Sequence, residues 1–160
     1  WFVFYVLEGT SGYGFQAVGC RVTTPHTRIE CLTAKGVGKD YVFLVTVDKQ
    51  VSLGSVHTMS YARPNIAGLS PDHGPTSGDI VCTVTGTNFG DTTQPQLYFG
   101  GALHQTVGGS LQVIDGGRYS VEFLLPAGYG TRKEVRLFVG QQVSNVVYFD
   151  YDAPQIDLVG

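Results

Sequence analysis

Residues 64–90 read PNIAGLSPDHGPTSGDIVCTVTGTNFG, and their punctuation decides the fold. Three prolines (Pro64, Pro71, Pro75) and three glycines (Gly68, Gly74, Gly78) precede an alternating run. Proline has no N–H to give a ladder and presets φ, so Pro64 and Pro71 belong at strand edges and turns. The glycines open backbone conformations closed to other residues. In the run, Ile80, Cys82 and Val84 share one face and Val81, Thr83 and Thr85 the other, the period of a half-buried strand. Ile80, Cys82 and Val84 are the inward set. Gly86-Thr87-Asn88 then breaks the strand, and Phe89 is the first large apolar residue beyond it.

The rest of the chain has the same character. Its 22 glycines, its β-branched and aromatic runs and its frequent turns argue an all-β protein, and no stretch sustains a helical period. Formal charge is −3, and the ten Lys and Arg residues are scattered. That argues against nucleic acid or an anionic membrane surface as a partner. No apolar run is long enough to cross a bilayer as a helix, so no direct membrane insertion is expected of this segment. Residues 1–7, Trp-Phe-Val-Phe-Tyr-Val-Leu, read as a strand and not as a signal peptide, since no basic residue precedes them and no small-residue cleavage site follows.

An internal repeat sets the domain organisation. At an offset of 92, Gly9 matches Gly101, Glu30 matches Glu122 and Leu32 matches Leu124. Gly36-x-Gly38 likewise matches Gly128-x-Gly130, and Gln50-Val51-Ser52 matches Gln142-Val143-Ser144. The offset then falls to 90, pairing Tyr61 with Tyr151, Pro64 with Pro154 and Ile66 with Ile156. One repeat of about 90 residues suits an immunoglobulin-like sandwich. Residues 1–63 are read as the back part of one repeat, 64–153 as a complete repeat and 154–160 as the start of a further one, so the chain is expected to be a piece of something longer. The complete repeat is predicted to hold strands near 64–69, 79–86, 95–99, 111–114, 119–124, 133–139 and 145–151. Val135, Leu137 and Val139 form a core face against a mostly polar Glu134, Arg136 and Phe138. Phe43, Val45 and Val47 hold the matching inward positions upstream, and Val147, Phe149 and Tyr151 are inward in the last strand.

Four groups of residues carry a resemblance to a known family. Pro64-x-Ile66, Leu69-Ser70-Pro71, Gly74-Pro75-x-Ser77-Gly78 and Val84-x-Gly86-x-Asn88-Phe89 follow one another without gaps and resemble the start of an IPT/TIG domain. Asp79 stands where the family has a second glycine. The resemblance implies tandem immunoglobulin-like β-sandwiches of E-set-like type. It also implies a non-enzymatic structural and protein-interaction module, a stalk or filament segment, in a large secreted or cell-surface protein such as a plexin, a hepatocyte growth factor receptor relative or a fibrocystin-like giant. Such domains also occur beside the catalytic domain of starch-acting and other carbohydrate-acting enzymes. They occur too in Rel-type transcription factors, where they contact DNA and dimerise; the acidic balance and a disulfide would oppose that reading.

Candidate chemistry is sparse. Cys20 and Cys31 are eleven apart and flank a turn at Thr24-Pro25, a spacing that lets them face each other on neighbouring strands. The pair is read as a disulfide, which implies an oxidising compartment, hence an extracellular or cell-surface location; the alternative is two reduced thiols in a cytosolic protein. Cys82 is left over on an inward face, a buried inert thiol. Gly12-Tyr13-Gly14 and Gly36-Val37-Gly38-Lys39 lack the strand-to-helix context of a phosphate loop. His26, His57, His73 and His104 have no metal-ligand spacing, and no Ser-His-Asp order or carboxylate pair stands out, so no catalytic residue, metal or other cofactor is assigned. Asp150, Asp152 and Asp157 bracket a domain junction where carboxylates can hold calcium, but the counterparts Ser60 and Ala62 cannot, and solvated carboxylates are the reading taken.

Two places are left as candidate interfaces. Pro64 and Pro154 follow the preceding strands with almost no linker, which favours stiff junctions, with Tyr61 and Pro64 at the first. The run Trp1 to Leu7 carries four aromatics in seven residues, so one face can be core while the other stays apolar. Trp1, Phe2 and Phe4 are therefore candidate contacts with other proteins or with neighbouring chains in an assembly.

Overall fold

The computed structural model describes residues 2–7, 14–91 and 94–156. The chain is all-β and divides into two compact units, residues 1–62 and 63–160.

In the first unit the strands are β1 (Phe2–Leu7), β2 (Phe15–Gln16), β3 (Val18–Thr24), β4 (Arg28–Leu32), β5 (Tyr41–Val47), β6 (Gln50–Val51) and β7 (Thr58–Met59). One sheet runs β2-β1-β5-β6 with β7 also on β5, and β3 and β4 form a separate hairpin. Val3, Tyr5, Ala17 and Tyr41 are its buried core, with Phe15, Phe43, Tyr61 and the Cys20–Cys31 pair packed around them.

The second unit holds β8 (Asn65–Ser70), β9 (His73–Gly74), β10 (Val81–Thr87), β11 (Gln96–Phe99), β12 (Ala102–His104), β13 (Gln112–Asp115), β14 (Arg118–Leu124), β15 (Lys133–Val139), β16 (Gln142–Val143) and β17 (Val147–Tyr151). The sheets β13-β14-β10-β8 and β12-β11-β15-β17-β9 make an immunoglobulin-like sandwich. The seven strands expected here lie within two residues of their expected limits. The short β9, β12 and β16 were not anticipated, because two or three residues carry too little alternation to be read. Cys82, Val84, Val135, Leu137 and Phe149 are fully buried, as their parity requires. Phe99 joins the two layers, its ring 5.9 Å from Phe123 and 5.7 Å from Phe149.

The entrance stretch shows why its residue types are needed. Strands β8 and β10 slip register between Thr85 and Gly86, and a Cβ on Gly86 would lie 2.0 Å from the Asn65 carbonyl oxygen. Only glycine lets the first strand come that close. Asp79 adopts φ +57°, a left-handed region that glycine occupies freely and aspartate tolerates better than most residues.

Two devices recur at the repeat offset. The Tyr151 hydroxyl donates to the Pro126 carbonyl (2.6 Å) and its amide to Gly130 (3.0 Å), while the ring lies where a Cβ on Gly128 would be, 2.6 Å from the hydroxyl oxygen. In the first unit the Tyr61 hydroxyl donates to Ala34 (2.7 Å) and its amide to Gly38 (2.9 Å), with Gly36 under the ring. Ser144 Oγ accepts from the Leu137 amide as Ser52 Oγ accepts from Val45, each serine continuing a ladder that its own strand has left.

Two expectations are corrected, one by register and one by burial. Tyr5 faces Phe43 as Phe99 faces Val135; positions 43 and 135 differ by 92, but 5 and 99 differ by 94. The first strand is thus aligned two residues away from the Gly9–Gly101 match, and Gly9 lies outside the described residues. Val47 is not core: it is 51% exposed, while its counterpart Val139 is 4% exposed, because β3 and β4 cover less of this sheet than four strands cover in the second unit.

Tyr151→Phe should lower the unfolding free energy by about 1 kcal/mol through loss of one hydrogen bond, and Gly128→Ala by more, since the ring must move; urea unfolding measures both. Burial, then the hydrogen bond with Tyr5, raises the Tyr61 phenol well above the ordinary value of 10.0. The folded state therefore favours the protonated phenol. This contribution is complete below the unfolded value and is lost as pH rises toward the folded one. Unfolding free energies measured from about pH 8 to about pH 11 should fall less steeply in Tyr61→Phe than in the parent chain.

Candidate interaction face

In β1 the inward side chains are Val3 and Tyr5, which leaves Phe2, Phe4 and Val6 on the outer face of the sheet. Cross-strand neighbours on that face are Thr46 opposite Phe2, Leu44 opposite Phe4 and Val42 opposite Val6. Phe2 is 55% exposed, and its ring centroid lies 6.1 Å from that of Phe4. The face thus carries Phe2 and Phe4 along β1 and Leu44 and Thr46 along β5, while Val42 is buried. Directly opposed side chains in a sheet are close enough to behave as one surface. Trp1 lies outside the described residues.

The same face of the second unit has different chemistry. Gln96 and Tyr98 lie along β11, with Phe138 and Arg136 opposite them on β15. Glu134 accepts from Arg136 at 2.7 Å, both side chains nearly half exposed. Tyr98, Glu134, Arg136, Phe138, Gly101 and Val143 line an open groove of about 360 Å³. A pair this exposed adds little stability, roughly 1 kcal/mol or less. It does make the groove's net charge zero.

Tyr61 is half-buried among aromatic rings, 5.6 Å from Phe15 and 5.9 Å from Tyr41, and its hydroxyl meets that of Tyr5 at 2.6 Å. Pro64 is buried in the second unit. Cys20 is bonded to Cys31 across the β3–β4 hairpin, and Cys82 is a free, buried thiol whose pKa is raised by that burial. Val6, Leu44, Tyr98 and Phe138 were not singled out from the sequence. The first two become part of the face only through pairing of β1 with β5, and Phe138 sits on a strand face that reads as polar.

No arrangement for catalysis is assembled by these side chains. His73 and Asp72 make a 3.1 Å pair on exposed surface, where the hydrogen bond to the carboxylate raises the imidazole pKa. Among the described residues no nucleophilic side chain hydrogen-bonds to that pair, and no cluster of His, Cys, Asp or Glu is placed to hold a metal ion. Asp150 accepts the Arg132 amide proton at 2.6 Å. No helix is long and apolar enough to cross a membrane among the same residues.

No curated protein sequence matches the chain. Among solved structures, SGBP-B from a complex xyloglucan utilization locus in Bacteroides uniformis is similar at 15% identity and a TM-score of 0.40, over 90% of this chain and 39% of that one. The plexin A4 extracellular region is similar at 15% identity and a TM-score of 0.44, over 91% of this chain and 14% of that one. This chain thus spans less than half the length of either. The family model of the IPT/TIG domain matches residues 64–151, from the first proline of the entrance to the tyrosine that closes the last strand. The chain belongs to the IPT/TIG domain family.

Proposed function

We propose that this chain is a non-enzymatic interaction segment of a secreted or cell-surface protein and docks other proteins through the outer face of the β1–β5 sheet. The observation that carries the reading is the face itself: Phe2, Phe4, Val6 and Leu44 stand outward where the second unit has Gln96, Tyr98, a turn glycine and Arg136. Phe2 is 55% exposed with the partly buried Phe4 beside it; apolar surface of this kind is what a partner removes from solvent, and aromatic residues dominate the energetics of such contacts. Residues 1–63 act as the back part of one repeat, 64–153 as a whole repeat and 154–160 as the start of a third, in a stalk or filament. The recurrence of the tyrosine closure and the serine bridge supports this division. The bonded Cys20–Cys31 pair supports an extracellular location.

A second reading, an accessory module beside a carbohydrate-acting enzyme, is favoured by the neutral groove between Tyr98 and Phe138. Micromolar binding of a neutral oligosaccharide that is lost in Tyr98→Ala would select it.

With a second copy of this chain as the partner tested, replacing Phe2 and Phe4 together with Ser should weaken concentration-dependent association in sedimentation velocity and cost less stability than a core change, because Phe2 is exposed and Phe4 only partly buried. Val3→Ser should instead cost roughly 2–3 kcal/mol of stability, because Val3 is 7% exposed. If the Phe2/Phe4 variant associates as the parent does and loses stability as Val3→Ser does, the outer face is ordinary packing.

Unfolding without reductant should expose one thiol, and three after reduction. Replacing Cys20 and Cys31 by Ser should cost roughly 3 kcal/mol by loop entropy. Three reactive thiols before reduction would remove the support for an oxidising compartment.

A further inference from the structure

The outer face of β11 and β15 holds an ion pair among apolar and aromatic side chains. Glu134, Arg136 and Phe138 point outward from β15, because Val135, Leu137 and Val139 are buried. Tyr98 stands opposite Arg136, Leu103 opposite Tyr98 and Tyr148 opposite Glu134. Leu103 is 56% and Tyr148 42% exposed. The Arg132 guanidinium lies 4.2 Å over the Tyr148 ring. Tyrosine, phenylalanine and arginine gathered on one face are the side chains enriched where proteins meet. Both flanking strands, β12 and β17, are in place, so the exposure is a property of the sheet itself.

The pattern is complementary to itself. Arg136 donates to Glu134 at 2.7 Å, and among the described residues neither side chain makes another ion pair. Most donors of the guanidinium and most lone pairs of the carboxylate are therefore unused within the chain. A twofold axis lying in the contact plane, across β15 at Val135, sets β15 antiparallel to its copy. Glu134 of each chain then faces Arg136 of the other, and the two intrachain pairs close into a ring of alternating charge. Tyr98, beside Arg136, falls on the other copy's Gly100-Gly101 turn, which the Gly100 amide ties to the Glu134 carbonyl at 2.8 Å. That turn is an open socket: a Cβ on Gly101 would meet nothing within 4 Å. Phe138 falls toward Arg132, a ring against a guanidinium. Face-packed sheets cross at roughly 30°, which keeps contacts this near the axis in register.

We propose that this face docks a second copy of the chain in that antiparallel arrangement, with Glu134 and Arg136 setting the register and Tyr98 anchoring it. The contact is separate from the outer face of β1 and does not depend on it. It takes the same groove as the oligosaccharide reading, and the two exclude each other.

The test uses the 160-residue chain with Phe2→Ser and Phe4→Ser, so that the β1 face contributes nothing, in sedimentation equilibrium up to roughly 1 mM. This background chain should associate. Arg136→Glu and Glu134→Arg each set like charges opposite one another and should weaken self-association by about tenfold or more. Mixed in equal amounts, the two variants carry opposite signs at the facing positions and should pair one to one as the background chain does. Both positions lie on the sheet surface, so the unfolding midpoints should stay near that of the background. Tyr98→Ala should also weaken association, which keeps the test decisive if a reversal disturbs folding. Reversals that associate undiminished, or a mixture of folded variants that stays monomeric, overturn the proposal. A monomeric background beside an associating unmodified chain assigns association to the β1 face and overturns this contact alone. A monomer that takes up a neutral oligosaccharide and loses it in Tyr98→Ala gives the groove to sugar and overturns it too.

Discussion

A tyrosine at the end of the last strand, or two residues past it, reaches back to a carbonyl two residues before a glycine, and each unit has that contact. Tyr151 does this with Pro126 and Gly128, Tyr61 with Ala34 and Gly36. The constraint is steric before it is electrostatic. The ring occupies the space a side chain at the glycine would need, and only then does the hydroxyl reach the carbonyl. The same tyrosines donate their amides to Gly130 and Gly38, so the loop between the sheets is tied at both ends. In the second unit Asn145 adds a further tie: its side-chain amide accepts from the Ile66 amide and donates to the Ile66 carbonyl, a substitute for two ladder bonds to the first strand. Leu53 holds that place in the first unit, cannot make the tie and is 94% exposed.

The two units solve the same packing problem with different chemistry. Phe123 fills the centre of the second core, fully buried against Phe99. Its counterpart is Cys31, and the Cys20–Cys31 bridge packs at the margin of a smaller aromatic core around Tyr5. A covalent tie that limits the unfolded chain compensates for apolar area that fewer covering strands leave unburied. Tyr5, Phe15, Tyr41 and Tyr61 pack edge to face and stacked in the first core, where the second adds fully buried Val84, Leu97, Val121, Val135 and Leu137 to its rings.

Outside the core, one sheet face appears in two versions. In the first unit it carries Phe2 and Phe4 beside Leu44 and Thr46; in the second an aromatic groove surrounds an Arg–Glu pair. Apart from the buried Val42, side chains at these positions keep part of their surface in water, so the face can differ between units, and such freedom is where recognition can reside.

Local chemistry by itself determined a good deal. The entrance motif, the alternation in β10, β15 and β17 and the 92-residue offset were legible because each depends on neighbours along the chain. Pro71 and Asn88 mark strand ends through intrinsic backbone preference, while Gly86, read as a break, lies inside β10 at the bulge, and Phe2 and Phe4 could be seen to oppose Val3 and Tyr5 by parity alone. What lay beyond the sequence depends on register between distant strands. The two-residue slip of β1 against its counterpart, the grouping of Leu44 and Val6 with Phe4, and the groove beside Phe138 all follow from which residue stands opposite which. Val47 shows the same limit: its parity is inward, but a face is core only when something covers it. Parity is a property of one strand; burial is a property of the strands above it, and only the tertiary structure decides how many there are.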